Sequence, residues 1–121
     1  MVVQSSRAQH TAAQGGAKAQ ITWFRHAQGG RRQLPSVSTY RSVARFDDDP
    51  NYSLGTWDVE VRFVKPPGYE RPSPAIVSFL SEEAPNQLLH AGSRFELTEG
   101  PKVVARGEVL PRAPRKSRTQ Q

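Results

Sequence analysis

Cysteine is absent from the 121-residue chain, which excludes a disulfide framework, a thiol nucleophile and any thiolate zinc site. Long apolar runs are absent as well. No stretch approaches the roughly 20 residues that a membrane-spanning helix requires. The opening Met1-Val2-Val3-Gln4-Ser5-Ser6-Arg7 also lacks the apolar core of a secretory signal. Together these absences predict a cytoplasmic protein with no membrane span, in keeping with a reducing compartment. Helical i, i+3, i+4 spacing is nowhere sustained, and the 10 prolines interrupt most candidate windows. The length allows one domain and leaves little room for a second.

What is present in excess is positive charge, 17 Lys and Arg against 11 Asp and Glu, a net +6. Its position matters more than its size. Residues 1–20 carry Arg7 and Lys18 without an acid, and residues 111–121 carry Arg112, Arg115, Lys116 and Arg118 without an acid. The intervening 21–110 holds 11 basic and 11 acidic residues and is neutral. Both ends are nearly free of large apolar side chains, too poor in buriable surface to offset the entropy of ordering them. We therefore expect disordered tails over 1–20 and 111–121 around a folded domain over 21–110. The neutral domain is itself divided: 21–46 holds Arg25, Arg31, Arg32, Arg41 and Arg45 with no acid, and 47–110 holds six basic and 11 acidic residues.

The domain reads as strands. Trp57-Asp58-Val59-Glu60-Val61-Arg62-Phe63 alternates apolar and charged residues without a fault, so Trp57, Val59, Val61 and Phe63 are expected on a core face. Tyr40, Ser42, Ala44 and Phe46 alternate more weakly against Arg41, Val43 and Arg45. Ile21–Phe24 reads as a first strand, and Ala75–Leu80 is expected to be more fully buried. Arg94–Thr98 and Lys102–Leu110 flank Glu99-Gly100-Pro101, a hairpin signal. Six short strands in about 90 residues suit a small closed barrel or a sandwich. The barrel is favoured: all-β, six-stranded and antiparallel.

Gly29-Gly30-Arg31, then Pro35, then Tyr40-Arg41 resembles the opening of the C-terminal barrel of elongation factor Tu. The closing run is similar too: Leu89-His90-Ala91-Gly92-Ser93-Arg94-Phe95-Glu96-Leu97-Thr98-Glu99-Gly100, then Val103-Val104-Ala105-Arg106-Gly107-Glu108-Val109. The resemblance covers about 21–110. It implies a translation-factor barrel standing alone, because this sequence has neither a GTPase domain nor a Walker-A motif. It also departs from the family at Pro101 and in the loop 47–56. In that family the barrel helps to hold tRNA and contacts protein partners. By position, the resemblance points to Gly30, Arg31, Arg32 and Arg41 near an RNA-facing region.

Chemistry read from the residues themselves agrees in part. Arginines present paired planar donors that suit phosphate oxygens, which makes Arg31, Arg32, Arg41 and Arg45 the candidate phosphate ligands. Glycine admits a ligand close to the backbone, although Gly29-Gly30 is read first as a hairpin turn. Arg115, Lys116 and Arg118 are candidate electrostatic contacts of the tail. Trp23, Tyr40 and Trp57 are read as core residues before base-stacking platforms. Asp47, Asp49 and Asn51 have calcium-like spacing, but Tyr52 stands where such a loop needs glycine. Without a secretory signal the glycosylation sequon Asn51-Tyr52-Ser53 is set aside. His10, His26 and His90 lack metal-binding companions. No catalytic constellation, cofactor or small-molecule substrate is indicated. The expected function is a non-enzymatic module that engages structured RNA (tRNA or rRNA) or a translation-associated protein. The alternative is a protein-interaction module, an immunity or regulatory protein, using the barrel's acidic surface or an uncovered strand edge.

Overall fold

The computed structural model describes residues 16–50 and 56–111. Six strands form a closed antiparallel barrel: β1 (Ala17–Trp23), β2 (Thr39–Phe46), β3 (Trp57–Phe63), β4 (Ser73–Phe79), β5 (Arg94–Glu99) and β6 (Lys102–Val109), in the spatial order β1-β4-β3-β2-β5-β6. The helical content of the described residues is two short 3₁₀ turns, His26–Gln28 and Asn86–Leu89. No described helix is long or apolar enough to cross a membrane.

The first strand starts earlier than expected. Ala17 to Gln20, assigned from composition to a tail, pair with Val77 to Pro74 of β4, and Ala19 and Gln20 also pair with Val109 and Glu108 of β6. The composition misled because Ala19, although 1% exposed, adds little apolar bulk. Its place is set by ladders on both sides rather than by a large side chain. Among the described residues the folded unit therefore reaches back to Ala17, ahead of the boundary expected at 21. Of the expected C-terminal tail, 111–121, only Pro111 lies within the described residues.

β3 follows its alternation: Val59 and Val61 are fully buried, with Trp57 and Phe63 half-buried at the strand's ends. β2 likewise buries Tyr40, Ala44 and Phe46. β4 differs from the expectation of full burial. Ser73, Ala75 and Val77 face inward, Ile76 is half-exposed, and Leu80 lies beyond the strand at 44% exposure. An apolar run in a barrel still has an outer face.

β5 and β6 form the expected hairpin, closed by Gly100-Pro101 with Gly100 at φ +61°. That left-handed angle at the first central position is the one glycine supplies in a two-residue hairpin turn. Leu97 pairs with Ala105 while Thr98 pairs with Val103, so Val104 is an extra residue in β6. This bulge buries Val104 and Ala105 in succession.

Aromatic rings fill the barrel toward its two ends. At one, Trp23 meets Tyr40 edge-on at 5.5 Å and Phe63 at 6.0 Å. At the other, Phe46 lies 5.5 Å from Phe79 and 5.0 Å from Phe95, and Trp57 meets Phe79 at 6.2 Å. Trp23 and Tyr40 are thus core residues, as read from sequence. Phe95 lies directly over Gly107, where an added Cβ would come within 2.2 Å of the ring.

The strand order dictates what closes the ends. β1 and β2 stand on opposite sides of the six-stranded ring, so residues 24–38 must cross one mouth of the barrel. β4 and β5 are also opposite, so 80–93 must cross the other. Gly29-Gly30 therefore belongs to a crossing connection, not to the hairpin turn expected. The 64–72 loop and the Gly100-Pro101 turn share the first end; the 47–56 connection shares the second.

Candidate functional site

The crossing segment 24–38 is shaped by its own backbone. The Gln28 side chain accepts from the Arg25 N–H at 2.8 Å, the Arg25 carbonyl accepts from Gln28 N–H at 2.7 Å and Gly30 N–H at 3.0 Å, and Gly29 takes φ +95°. Gly30 is buried against Phe24 so closely that a Cβ would fall 2.0 Å from the Phe24 carbonyl oxygen. Its requirement for glycine is thus met by packing within the chain.

The segment delivers Arg31 to the edge of the barrel's mouth. Its guanidinium lies 5.4 Å from the Tyr40 ring centroid, its Nε donates to the Gln33 carbonyl at 2.9 Å, and its Nη1 pairs with the Glu99 carboxylate. The Tyr40 hydroxyl donates to the same carboxylate oxygen. Burial pushes the Tyr40 phenol up to about 12, helped by its hydrogen bond to Glu99. Burial alone would raise Glu99 as well. The Tyr40 and Arg31 hydrogen bonds and the charges of Arg31 and Lys102 outweigh it and hold the carboxyl below its ordinary value.

Arg32, the next residue, is exposed at the same end. Arg41 and Arg45 stand on the wall, four residues apart on β2, or about 13 Å along the strand. Arg41 faces Glu60 of β3 in register, 4.0 Å away, and is 70% exposed. Arg45 stands opposite Glu96 of β5, which pairs with Arg106 of β6 at 3.1 Å. The four candidate arginines therefore occupy two places, the barrel mouth and the β2 wall. Arg115, Lys116 and Arg118 lie outside the described residues.

Charge on the wall is matched by register: Arg41 with Glu60, Arg45 and Arg106 with Glu96, Arg94 with Glu108. Charge at the ends, beyond the Arg31–Glu99 and His90–Asp48 pairs, is not. The connections at one end, 24–38 and 64–72, carry Arg25, Arg31, Arg32, Lys65 and Arg71 against Glu70 alone. Those at the other, 47–56 and 80–93, carry Asp47, Asp48, Asp49, Glu82 and Glu83 with no Lys or Arg. The barrel is polarised along its axis, basic at one mouth and acidic at the other. The two basic connections touch each other, with the Arg25 guanidinium 4.6 Å from the Tyr69 ring centroid. Sequence reasoning did not single out Lys65, Tyr69 or Arg71, because only the strand order brings 64–72 beside 24–38.

The acidic loop is tied inward rather than arranged as a cation site. The Trp57 indole donates to Asp49 at 3.2 Å, and Asp48 lies 2.9 Å from the His90 ring. Asn51 lies outside the described residues. Among those described, no three His, Asp or Glu side chains are grouped to hold a metal ion. No protein-family model, curated protein or solved structure matches the chain.

Proposed function

We propose that this chain is a non-enzymatic cytoplasmic binding module whose basic mouth engages structured RNA. The observation that carries this reading is the axial charge partition. Four arginines and Lys65 from two connections share one end against Glu70, while five acids occupy the connections at the other, so a polyanion is drawn to one mouth and repelled from its opposite. Arg32 and Arg71, both exposed, are the principal phosphate ligands. Arg31, held against Glu99 and Tyr40, organises the mouth. Arg41 and Arg45 contribute less because acids face them across the ladders. The resemblance of Gly29-Gly30-Arg31 and the closing hairpin to the elongation factor Tu barrel supports the same reading and names tRNA or rRNA as the class of ligand.

The protein-interaction alternative loses its strand-edge form. Every strand has two paired neighbours, so closure leaves no edge among the six for an incoming strand to join.

The test is fluorescence anisotropy with labelled tRNA and rRNA fragments, using the full chain over a range of salt. We expect binding at low salt that weakens steeply as salt rises. R32A and R71A should each reduce the slope of log K against log salt by about 0.7–0.9. Absence of binding at low salt, or a slope that neither substitution changes, overturns the proposal.

A further inference from the structure

Val37 and Val64, at 56% and 62% exposure, stand at the basic mouth and line the same groove of about 320 Å³. One wall is Pro35–Ser38, leading into β2; the other is Phe63–Pro67, leaving β3. A single exposed aliphatic residue is ordinary, but here two valines and three prolines form a shared lining, with Lys65 among them. Among the described residues the remaining large exposed aliphatic side chain, Leu80, lies at the acidic end, and Glu82 and Glu83 follow it closely in sequence. The chain thus holds an apolar groove with a basic border at one mouth, and an apolar residue with an acidic border at the other.

We infer that the groove receives the Leu80–Glu83 segment of a second copy of this chain. Leu80 enters between Val37 and Val64 while Glu82 and Glu83 meet the basic mouth, with Lys65 nearest. Within one molecule the contact cannot form, because a seven-residue strand separates the ends by about 23 Å. The two surfaces differ, so the association is head-to-tail: after one contact one copy retains an unused groove and the other an unused Leu80, and growth continues beyond a dimer into a filament or a larger closed ring. Charge complementarity identifies this occupant, since the basic and acidic ends belong to the same chain and face opposite ways along its axis.

Sedimentation velocity on the full chain, freed of nucleic acid by nuclease, tests the inference. At low salt the mean mass should rise with concentration past that of a dimer, and added salt should lower it. L80D and V64D should each sediment as monomers, with V37D as a second groove variant. Circular dichroism should show all three folded, because the substituted side chains are exposed.

The decisive measurement is the mixture of L80D with V64D. L80D retains an intact groove and V64D an intact Leu80, so together they form one productive contact and should stop at a dimer. A wild-type monomer at every concentration, a wild-type dimer that never grows, association that survives both substitutions, or a mixture that stays monomeric would each overturn the inference. RNA binding by L80D, measured at concentrations where the wild type is monomeric, should match the wild type, so this inference and the RNA reading can fail separately.

Discussion

Arg31 is the residue whose surroundings most change its meaning. As a letter in an acid-free stretch it reads as a free phosphate ligand; in the fold its guanidinium shares the Glu99 carboxylate with the Tyr40 hydroxyl. The consequence can be measured as pH dependence. The Glu99 carboxyl is held below its ordinary 4.5 in the folded state. Its contribution is therefore complete above that value and is lost as pH falls through the lower folded value. Tyr40 works in the opposite direction. Its phenol is raised from 10.0 to about 12, so its contribution is complete below pH 10 and disappears as pH rises through about 12. Urea unfolding should show E99Q losing less stability than wild type between pH 5 and pH 3. Y40F should cost about 1 kcal/mol at neutral pH and lack the wild type's decline above pH 10. Equal acid sensitivity of wild type and E99Q would remove Glu99 from this role.

At the scale of the element, the 24–38 connection does two things: it crosses a barrel mouth and supplies three of that mouth's arginines. Its path depends on Gly30, where the obstacle to a side chain is the Phe24 carbonyl. A backbone atom inside a strand-to-turn junction cannot swing aside as a side chain can. G30A should therefore destabilise the barrel by about 1–3 kcal/mol, read as a lower urea midpoint at unchanged m-value. G29A, at φ +95° but with nothing within 4 Å of its Cβ, should cost about 1 kcal/mol for backbone strain alone. If the two variants unfold alike, close packing at Gly30 is not what fixes the connection.

The elements differ in how openly they announced themselves. β3 was legible because one face meets the core and the other meets water. The β5–β6 hairpin was legible because its turn needs glycine at a known place. The start of β1 was hidden because Ala17-Lys18-Ala19-Gln20 is held by pairing, and alanine and glutamine look the same in a tail. The successive burial of Val104 and Ala105 depends on a bulge that period-2 reading cannot anticipate.

For the whole molecule, the important quantity is invisible in the linear order of charges. Along the chain the contrast lies between 21–46 and 47–110, which suggests two sides of a barrel. The strand order turns it through a right angle: β2's arginines are matched by acids of β3 and β5, and the unmatched charges collect in the connections at the two mouths. Assigning 64–72 to the basic mouth requires knowing that β3 and β4 run as an antiparallel pair that ends beside the 24–38 crossing. The same order places Gly16 and Leu110 together at the acidic mouth, where the Leu110 N–H donates to the Lys18 carbonyl. Arg112, Arg115, Lys116 and Arg118 come after this point in the sequence and lie outside the described residues. A polyanion then has two possible destinations, and they can be told apart. Titrating the isotopically labelled full chain with tRNA at low salt should shift amide resonances of 24–38 and 64–72 first, with 80–93 unmoved, and rising salt should reverse the shifts. Shifts that begin instead at 80–93 and the residues after Pro111 would assign polyanion binding to the C-terminal arginines and leave the basic mouth without that role.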